Sequence, residues 1–223
     1  MNKRLISTES DRPLSSVFCL LLVASTYAMA DTELQPFTDL SLDDWQQRSF
    51  VGHTQYQLTT DNGTRVLKGS ANAKASLLYK QLDISLVDTP MLSWHWKIDN
   101  VFTDTNEQTR DGDDFPARVY VVYRYGRFAW QTYAINYVWA SHTPKDDSWN
   151  SPYTNKSKLI AVQSGNTLAG QWQFETRNVA DDFATLFNVE VGSLAGIAVM
   201  VDADNTGKSA VAHFGAIQFN REQ

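Results

Sequence analysis

Along most of the chain, hydrophobic and polar residues alternate with a period of two, the spacing of a β-strand, whereas a helix repeats about every 3.6 residues. The segments 91–98 (MLSWHWKI) and 117–125 (ARVYVVYRY) show this alternation most clearly. In each segment one face is apolar and is predicted to join a core, while the other face is polar. The polar faces carry His95, Lys97, Arg118 and Tyr120.

The same pattern predicts one helix and several further strands. Asn62-Gly63 lies between alternating segments and predicts a tight hairpin, because both residue types accept a positive φ. In the segment VADDFATLFN (179–188), Asp181 and Asp182 suit the first turn of a helix, where the dipole favours negative charge. Further strands are predicted at 56–60, 65–69, 75–84, 128–140, 158–165, 170–178, 194–207 and 209–220.

About ten strands with turns at short intervals and one short helix predict an all-β fold, an antiparallel β-sandwich of the jelly-roll type. A sheet whose strands have two different faces buries only one of them. We therefore expect the polar faces of the two segments above to lie together on one outward surface. In a curved sandwich that surface is a candidate ligand groove.

The first thirty residues have the features of a signal peptide. Lys3, Arg4 and Arg12 supply a positive start, residues 17–24 form a short apolar run, and Ala28-Met29-Ala30 matches the pattern that signal peptidase cleaves. Cleavage there leaves residues 31–223 as a single β-sandwich domain. The apolar run is too short for a transmembrane span, so no such segment is expected after cleavage.

The cysteine content indicates the cellular compartment of the protein, and the net charge restricts the classes of partner that it can bind. Cys19 is the only cysteine and leaves with the signal peptide, so the mature domain is predicted to be cysteine-free and without disulfides. Such an exported protein fits a bacterial periplasm or a secreted location. The formal net charge of −6 argues against nucleic acid as a partner, since cationic side chains on phosphates supply that affinity.

An unusual cluster of charge, RDGDDFPAR (110–118), precedes the second alternating segment. Asp113, Asp114 and Arg118 could clamp a polar ligand through charge-assisted hydrogen bonds. Alternatively, one of the two aspartates is the acid or base of a glycoside hydrolase or polysaccharide lyase, with Arg118 or Lys97 steadying a substrate carboxylate. A third reading is that the acids form only structural ion pairs with neighbouring arginines.

Metal binding has little support in the sequence. The four histidines are scattered, and no zinc pattern is present. DADNTG (202–207) resembles the start of a Ca²⁺ loop but lacks the acid expected at its fifth position and the glutamate at its twelfth. A tight turn held by Asp and Asn side chains is the better explanation of this segment. No cofactor is therefore predicted, and Ca²⁺, held here or by the acids at 111–114, is the one ion these residues suit.

Tryptophans are predicted in two roles. Trp94, Trp96, Trp130 and Trp139 lie in strand patterns and are expected in the core. Trp149 instead lies in a long polar loop, DDSWNSPYTN. It is either an exposed ring that stacks on a sugar or a plug that folds back over the sandwich.

Several motifs together resemble one family. LSWHWKID, DGDDFPARVYVVY, NYVWA, GQWQFETRNVADDFATLF and IAVMVDADNTGKSAVAHFGAIQF are similar, in order and spacing, to the exported bacterial family catalogued as domain of unknown function 3047. The resemblance implies a periplasmic or secreted β-sandwich and brings no activity with it. The end of the chain is also similar to jelly-roll carbohydrate-binding modules, except that the acid such modules often carry before the last strand is absent near His213.

The resulting prediction is a protein that binds a polar ligand such as a glycan at the cell envelope without transforming it. The ligand-binding residues are predicted to be Asp113, Asp114, Arg118, Tyr120, His95 and Trp149. Two alternatives remain: the enzyme described above, using the same groove, and a structural or partner-binding envelope protein.

Overall fold

Two β-sheets packed face to face make up the part of the chain that the structure, a computed structural model, describes: residues 42–128 and 131–222. The predicted all-β sandwich is confirmed. The predicted signal peptide (residues 1–30) and Trp130 lie outside the described residues.

Twelve strands and one α-helix follow one another along the described chain. The strands are β1 (Gln46–Val51), β2 (Gln55–Asp61), β3 (Thr64–Asn72), β4 (Ala75–Ser85), β5 (Met91–Ile98), β6 (Arg118–Arg124), β7 (Thr132–Ala140), β8 (Ser148–Ser151), β9 (Thr154–Ser164), β10 (Gln173–Asn178), β11 (Ser193–Asp202) and β12 (Ser209–Asn220). The helix is α1 (Val179–Phe187), and short 3₁₀ turns span Leu42–Asp44 and Arg110–Gly112.

The two sheets differ in width. Seven strands form the larger sheet in the order β1-β4-β11-β6-β7-β9-β8, and five form the smaller one in the order β10-β5-β12-β3-β2. Neighbouring strands run antiparallel except β7 and β9, which pair in parallel. That exception arises because β9 lies between β7 and β8 in the sheet, so the chain passes over one position before it returns.

The predicted hairpin is confirmed in detail. Asn62 and Gly63 join β2 to β3 and have φ angles of 48° and 82°. Two consecutive residues with positive φ are what a two-residue hairpin turn requires, since its twist then matches that of the strands.

Two strands were not predicted, and both lie at an edge of the larger sheet. Every residue of β1 is exposed, and β8 alternates between exposed and half-buried side chains over only four residues. An edge strand that buries little surface needs no apolar face. Its sequence therefore resembles that of a loop.

Large aromatic side chains fill the space between the sheets. Trp94, Trp96 and Trp139 are fully buried there, as predicted. The Trp94 and Trp96 rings meet edge to face with centroids 5.5 Å apart, and Trp139 lies 5.8 Å from Trp96. Aromatic pairs in such geometries stabilise a core beyond the area that they bury, by about 0.5–1.5 kcal/mol each.

Helix α1 forms where the sequence predicts a helix, and its Val179 and Phe183 side chains are buried in the core. The Asn178 side chain caps it by accepting a hydrogen bond from the Asp181 N–H at 3.2 Å, and Asn188 ends it with a left-handed φ of 53°. Asp182 accepts hydrogen bonds from the Tyr137 hydroxyl at 2.8 Å and from Arg177 Nε at 3.0 Å. These bonds tie the helix to both sheets, since Tyr137 lies in β7 and Arg177 in β10.

A long loop between β5 and β6 carries the acid cluster and is held at two points. The buried carboxylate of Glu107 accepts hydrogen bonds from the backbone N–H groups of Ser141, His142 and Thr143 at 2.6, 3.1 and 2.5 Å. At Gly112 the backbone approaches so closely that a Cβ atom would lie 2.4 Å from the carbonyl oxygen of Asn106. The loop therefore requires glycine at this position.

Gly112→Ala is expected to destabilise the protein by about 1–3 kcal/mol, because backbone atoms rather than a flexible side chain would have to move. Urea unfolding measures the change. Gly192→Ala is the matched control, since a Cβ atom there has no neighbour within 4 Å and the residue has no positive φ. Equal stability of the two variants would contradict the close approach.

Candidate functional site

A groove of about 790 Å³ crosses the outward face of the larger sheet. We call it the sheet groove. Its floor comes from side chains that alternate with the core residues of β6, β7, β9 and β11, and its walls from β1 and the β8–β9 hairpin. The lining residues used below are Arg48, Phe50, Asp113, Arg118, Tyr120, Asn136, Tyr153, Lys156, Ser157, Asp202 and Asp204.

At one end of the groove, the buried guanidinium of Arg118 holds two acids together. Its Nε donates to Asp202 Oδ1 at 2.9 Å, and its Nη2 donates to Asp202 Oδ2 and, at 2.6 Å, to the backbone carbonyl of Asp113. The Asp113 carboxylate lies 3.5 Å from the same nitrogen. Phe115 packs beneath, with its ring centroid 4.4 Å from the guanidinium carbon. The pair joins the start of β6 to the end of β11.

The side chain of Asp114, the neighbour of Asp113, is directed towards the backbone of an adjacent turn and does not line the groove. Its two carboxylate oxygens accept hydrogen bonds from the backbone N–H groups of Asn205 and Thr206 at 3.2 and 2.6 Å. Asp114 thus ties the β5–β6 loop to the turn between β11 and β12. Asp114, Asp202 and Asp204 also each bring one carboxylate oxygen into a group whose members lie within 4.8 Å of one another.

At this end of the sheet groove, burial has the largest effect on the pKa values of the charged side chains. It raises the pKa of Asp202 to about 7, although Arg118 opposes the rise. Burial also disfavours the charged guanidinium, but Asp202 outweighs this and holds the pKa of Arg118 well above its usual value. Arg118 therefore stays charged, and Asp202 is the member of the pair that titrates. Burial raises the pKa values of Asp113 and Asp204 as well.

The structure brings together three of the six residues predicted to bind a ligand. Asp113, Arg118 and Tyr120 all line the sheet groove. The expectation that His95 and Lys97 lie on the same surface as Arg118 and Tyr120 is wrong, because β5 lies in the smaller sheet and β6 in the larger one. His95 packs instead against Phe174, with ring centroids 4.8 Å apart, on the opposite side of the sandwich.

Trp149 is a plug and not an exposed stacking platform. It belongs to β8, and its half-buried ring lies with its centroid 6.1 Å from that of Phe115. With it pack the apolar side chains that cover this part of the outward face: Phe115, Val138, Ala140, Leu159 and Ala161. The exposed ring of that hairpin is Tyr153, four residues further along the chain.

Several groove residues were missed in the sequence, above all Phe50, Asn136, Tyr153 and Lys156. Phe50 belongs to the edge strand that shows no alternation, so no pattern marked it. Tyr153 lies in the same predicted loop as Trp149, and the larger tryptophan ring was chosen as the candidate for stacking on a sugar. Asn136 lies in the second half of a strand whose apolar character suggested only a core. Its position directly opposite Tyr120 in the β6–β7 pair is what brings it to the groove.

The smaller sheet presents a second polar surface. Asp61 accepts hydrogen bonds from Lys97 Nζ at 2.5 Å and Trp172 Nε1 at 2.7 Å, and these bonds lower the pKa of Asp61. His213 lies beside this group, and burial, together with the positive charge of Lys97, lowers its pKa.

Comparison with known proteins gives one family. The family model described as "Protein of unknown function (DUF3047)" matches residues 43–218. No sequence among the curated proteins matches this chain. Among the described residues, no helix is both long and apolar enough to span a membrane.

Solved structures resemble the chain at low identity. A carbohydrate-binding module of the β-sandwich superfamily is 14% identical with a TM-score of 0.43, over 86% of this chain and 63% of its own. A carbohydrate-binding module specific for non-crystalline cellulose is 13% identical with a TM-score of 0.42, over 82% and 90%. The K1 cleaved adhesin domain of Lys-gingipain from Porphyromonas gingivalis W83 is 11% identical with a TM-score of 0.42, over 85% and 97%.

Arg118→Met is expected to lower the free energy of unfolding by about 3–5 kcal/mol, because it leaves the buried Asp202 without its partner. Arg124→Met is the matched control on the same strand and the same face, where the side chain is exposed, and should change stability by less than about 0.5 kcal/mol. Denaturant unfolding of both variants checks the difference. A loss below about 1 kcal/mol in the first would show that the pair matters little for stability.

His213 is expected to contribute to acid sensitivity. Because its folded-state pKa is below its unfolded value of about 6.5, the unfolded chain binds more protons as the pH falls below that value, and stability is lost. The loss of stability between about pH 7.5 and 5.5 should therefore be smaller in His213→Gln than in the unmodified protein. His53→Gln, on an exposed turn, is the control. An unchanged difference in His213→Gln would refute the effect.

Proposed function

This chain belongs to the family described as "Protein of unknown function (DUF3047)", and we propose that it binds a polar glycan in the sheet groove without cleaving it. The signal peptide predicted at residues 1–30 supports a place outside the cytoplasm, in the periplasm or secreted. There a glycan of the cell envelope is an available ligand.

The observation that carries the proposal is the combination of exposed rings and fixed polar groups in one groove. Phe50 and Tyr153 are 52% and 53% exposed, although each is a large ring that would gain from burial. They lie on walls built from opposite edges of the sheet, above a floor of Tyr120 and Asn136. A sugar presents an apolar C–H face to a ring and hydroxyl groups to polar side chains, so it satisfies both.

The size and rigidity of the groove support the same conclusion. A volume of about 790 Å³ lies within the range of about 300–1,000 Å³ that is usual for small-ligand sites. Asn136 is held by hydrogen bonds from its Nδ2 to Ser157 Oγ at 2.8 Å and to the Lys158 carbonyl at 3.2 Å. Side chains fixed in this way lose little entropy when a ligand binds.

The hydrogen bonds that Asp202 and Asp114 already accept favour binding without cleavage. Both oxygens of Asp202 are engaged by Arg118, and both oxygens of Asp114 accept backbone hydrogen bonds. A glycoside hydrolase needs one carboxyl that donates a proton and a second that is free to attack or to activate water. Asp114, tied down and turned away from the groove, is poorly placed for either part.

One observation favours an enzyme as the second candidate. Asp113 and Asp204 both line the groove, and burial raises the pKa of each. A carboxylic acid whose pKa is raised is better suited to act as a general acid than one with its ordinary pKa. A glycoside hydrolase or lyase reaction in the same groove would therefore use these two acids, with Arg118 fixed beside them.

The proposal is tested by titrating the purified protein with soluble oligosaccharides of several classes in a calorimeter. One class is expected to bind, and Phe50→Ala should raise its dissociation constant about two- to tenfold, as expected for the loss of one stacking ring. Phe174→Ala is the matched control, since that ring is 60% exposed on the opposite sheet. Loss of binding in Phe174→Ala alone would move the site to the smaller sheet.

The alternatives give different results in the same samples. Shorter products in the incubated mixture, absent for Asp204→Asn, would replace the binder by the enzyme. Absence of binding by every class would leave the structural or partner-binding protein, with the acids as ion pairs only.

A further inference from the structure

The acid cluster holds more negative charge than the neighbouring cation can balance. Four carboxylates lie near one another beside this end of the sheet groove, those of Asp113, Asp114, Asp202 and Asp204; three of the four residues are buried, and all but Asp114 line the groove. Arg118 is the one cation that contacts them among the described residues. Buried carboxylates that outnumber their cationic partners are costly in the charged form, so each of them either keeps a proton or is joined by a further positive charge.

Asp113 supplies a second observation, independent of the clustering. Only 6% of this residue is exposed, and its Oδ1 atom is buried without a hydrogen-bond partner among the described residues. Asp113 lines the same groove as Asp202 and Asp204, and the negative charges of Asp114 and Asp204 contribute to raising the pKa of its carboxyl. A buried carboxylate oxygen almost always has a partner, so an unpaired one indicates an unfilled position for a proton donor or a cation.

The geometry points to a divalent cation, and we propose that Asp114, Asp202 and Asp204 bind Ca²⁺, with Asp113 beside them. Their three oxygens lie within 4.8 Å of one another. Ca²⁺ binds oxygens at about 2.3–2.6 Å, so two ligands on opposite sides of it lie up to about 5 Å apart, which this spacing allows. Mg²⁺ binds oxygens at about 2.0–2.1 Å, so its ligands lie at most about 4.2 Å apart.

The donor set also selects the class of ion. All three groups are hard carboxylate oxygens, whereas zinc and copper sites draw on imidazole or thiolate. Asp202 Oδ1 accepts hydrogen bonds from both Arg118 Nε and the Phe115 backbone N–H, whereas Oδ2 accepts from Arg118 Nη2 and keeps a second lone pair for an ion. An ion here would bridge the β5–β6 loop and the β11–β12 turn.

Calcium titration of the chelator-treated protein tests the site without any glycan. Calorimetry is expected to show about one Ca²⁺ per chain with a dissociation constant at or below about 1 mM, the range of extracellular calcium modules, and binding of Mg²⁺ at least about tenfold weaker. Asp204→Asn removes one ligand charge from a half-exposed position and should weaken Ca²⁺ at least about tenfold.

Asp111→Asn is the matched control, because it removes the same charge from an exposed residue of the same loop, outside the cluster. It should leave the dissociation constant within about twofold. Circular dichroism and the melting temperature in chelator establish that each variant is folded before titration. Ca²⁺ affinity that is absent up to about 10 mM, or that is lowered equally by the two substitutions, would overturn the site. Neither outcome depends on whether the groove binds a glycan.

Discussion

The ion pair between Arg118 and Asp202 is the contact on which the rest of this architecture depends. It is buried, it spans 84 residues of sequence, and it joins two adjacent strands of the larger sheet at the point where their loops begin. A buried pair of this kind gives little net stability but is costly to break, so it acts mainly by excluding other arrangements. Here it fixes the β5–β6 loop over the end of β11, and thereby the closed end of the groove.

One part of the outward face of the larger sheet is covered by packed side chains, and another part is exposed. At one edge the β8–β9 hairpin folds inward, and Trp149 covers an apolar patch formed by Phe115, Val138 and Leu159. Beside that patch the floor becomes polar and open at Tyr120 and Asn136. The groove is thus the uncovered remainder of a face that the hairpin partly buries. This explains how one strand, β7, contributes both to a second small core and to the floor of the groove.

The alternation of residues was sufficient to predict the strands β5 and β6, the hairpin at Asn62 and the buried tryptophans, because each of these depends on local spacing. It could not show that β5 and β6, although consecutive, belong to different sheets. Sheet membership is decided by pairing with distant strands such as β11 and β12, and no local pattern records it. That is why His95 was grouped with Arg118, and why Asp202 was not recognised as the partner of Arg118.

The order of strands in the two sheets also constrains when the protein can fold. β11 lies between β4 and β6, and β12 lies between β5 and β3, so the interior of each sheet is completed by the last thirty or so residues of the chain. Pairings that close such long loops form late, because their entropy cost precedes any gain. Until β11 and β12 are free of the ribosome, β4 and β6 have no strand between them to pair with, and neither do β3 and β5. The chain can form hairpins such as β2–β3 and β6–β7 during synthesis, but it completes both sheets only after its final segment has emerged.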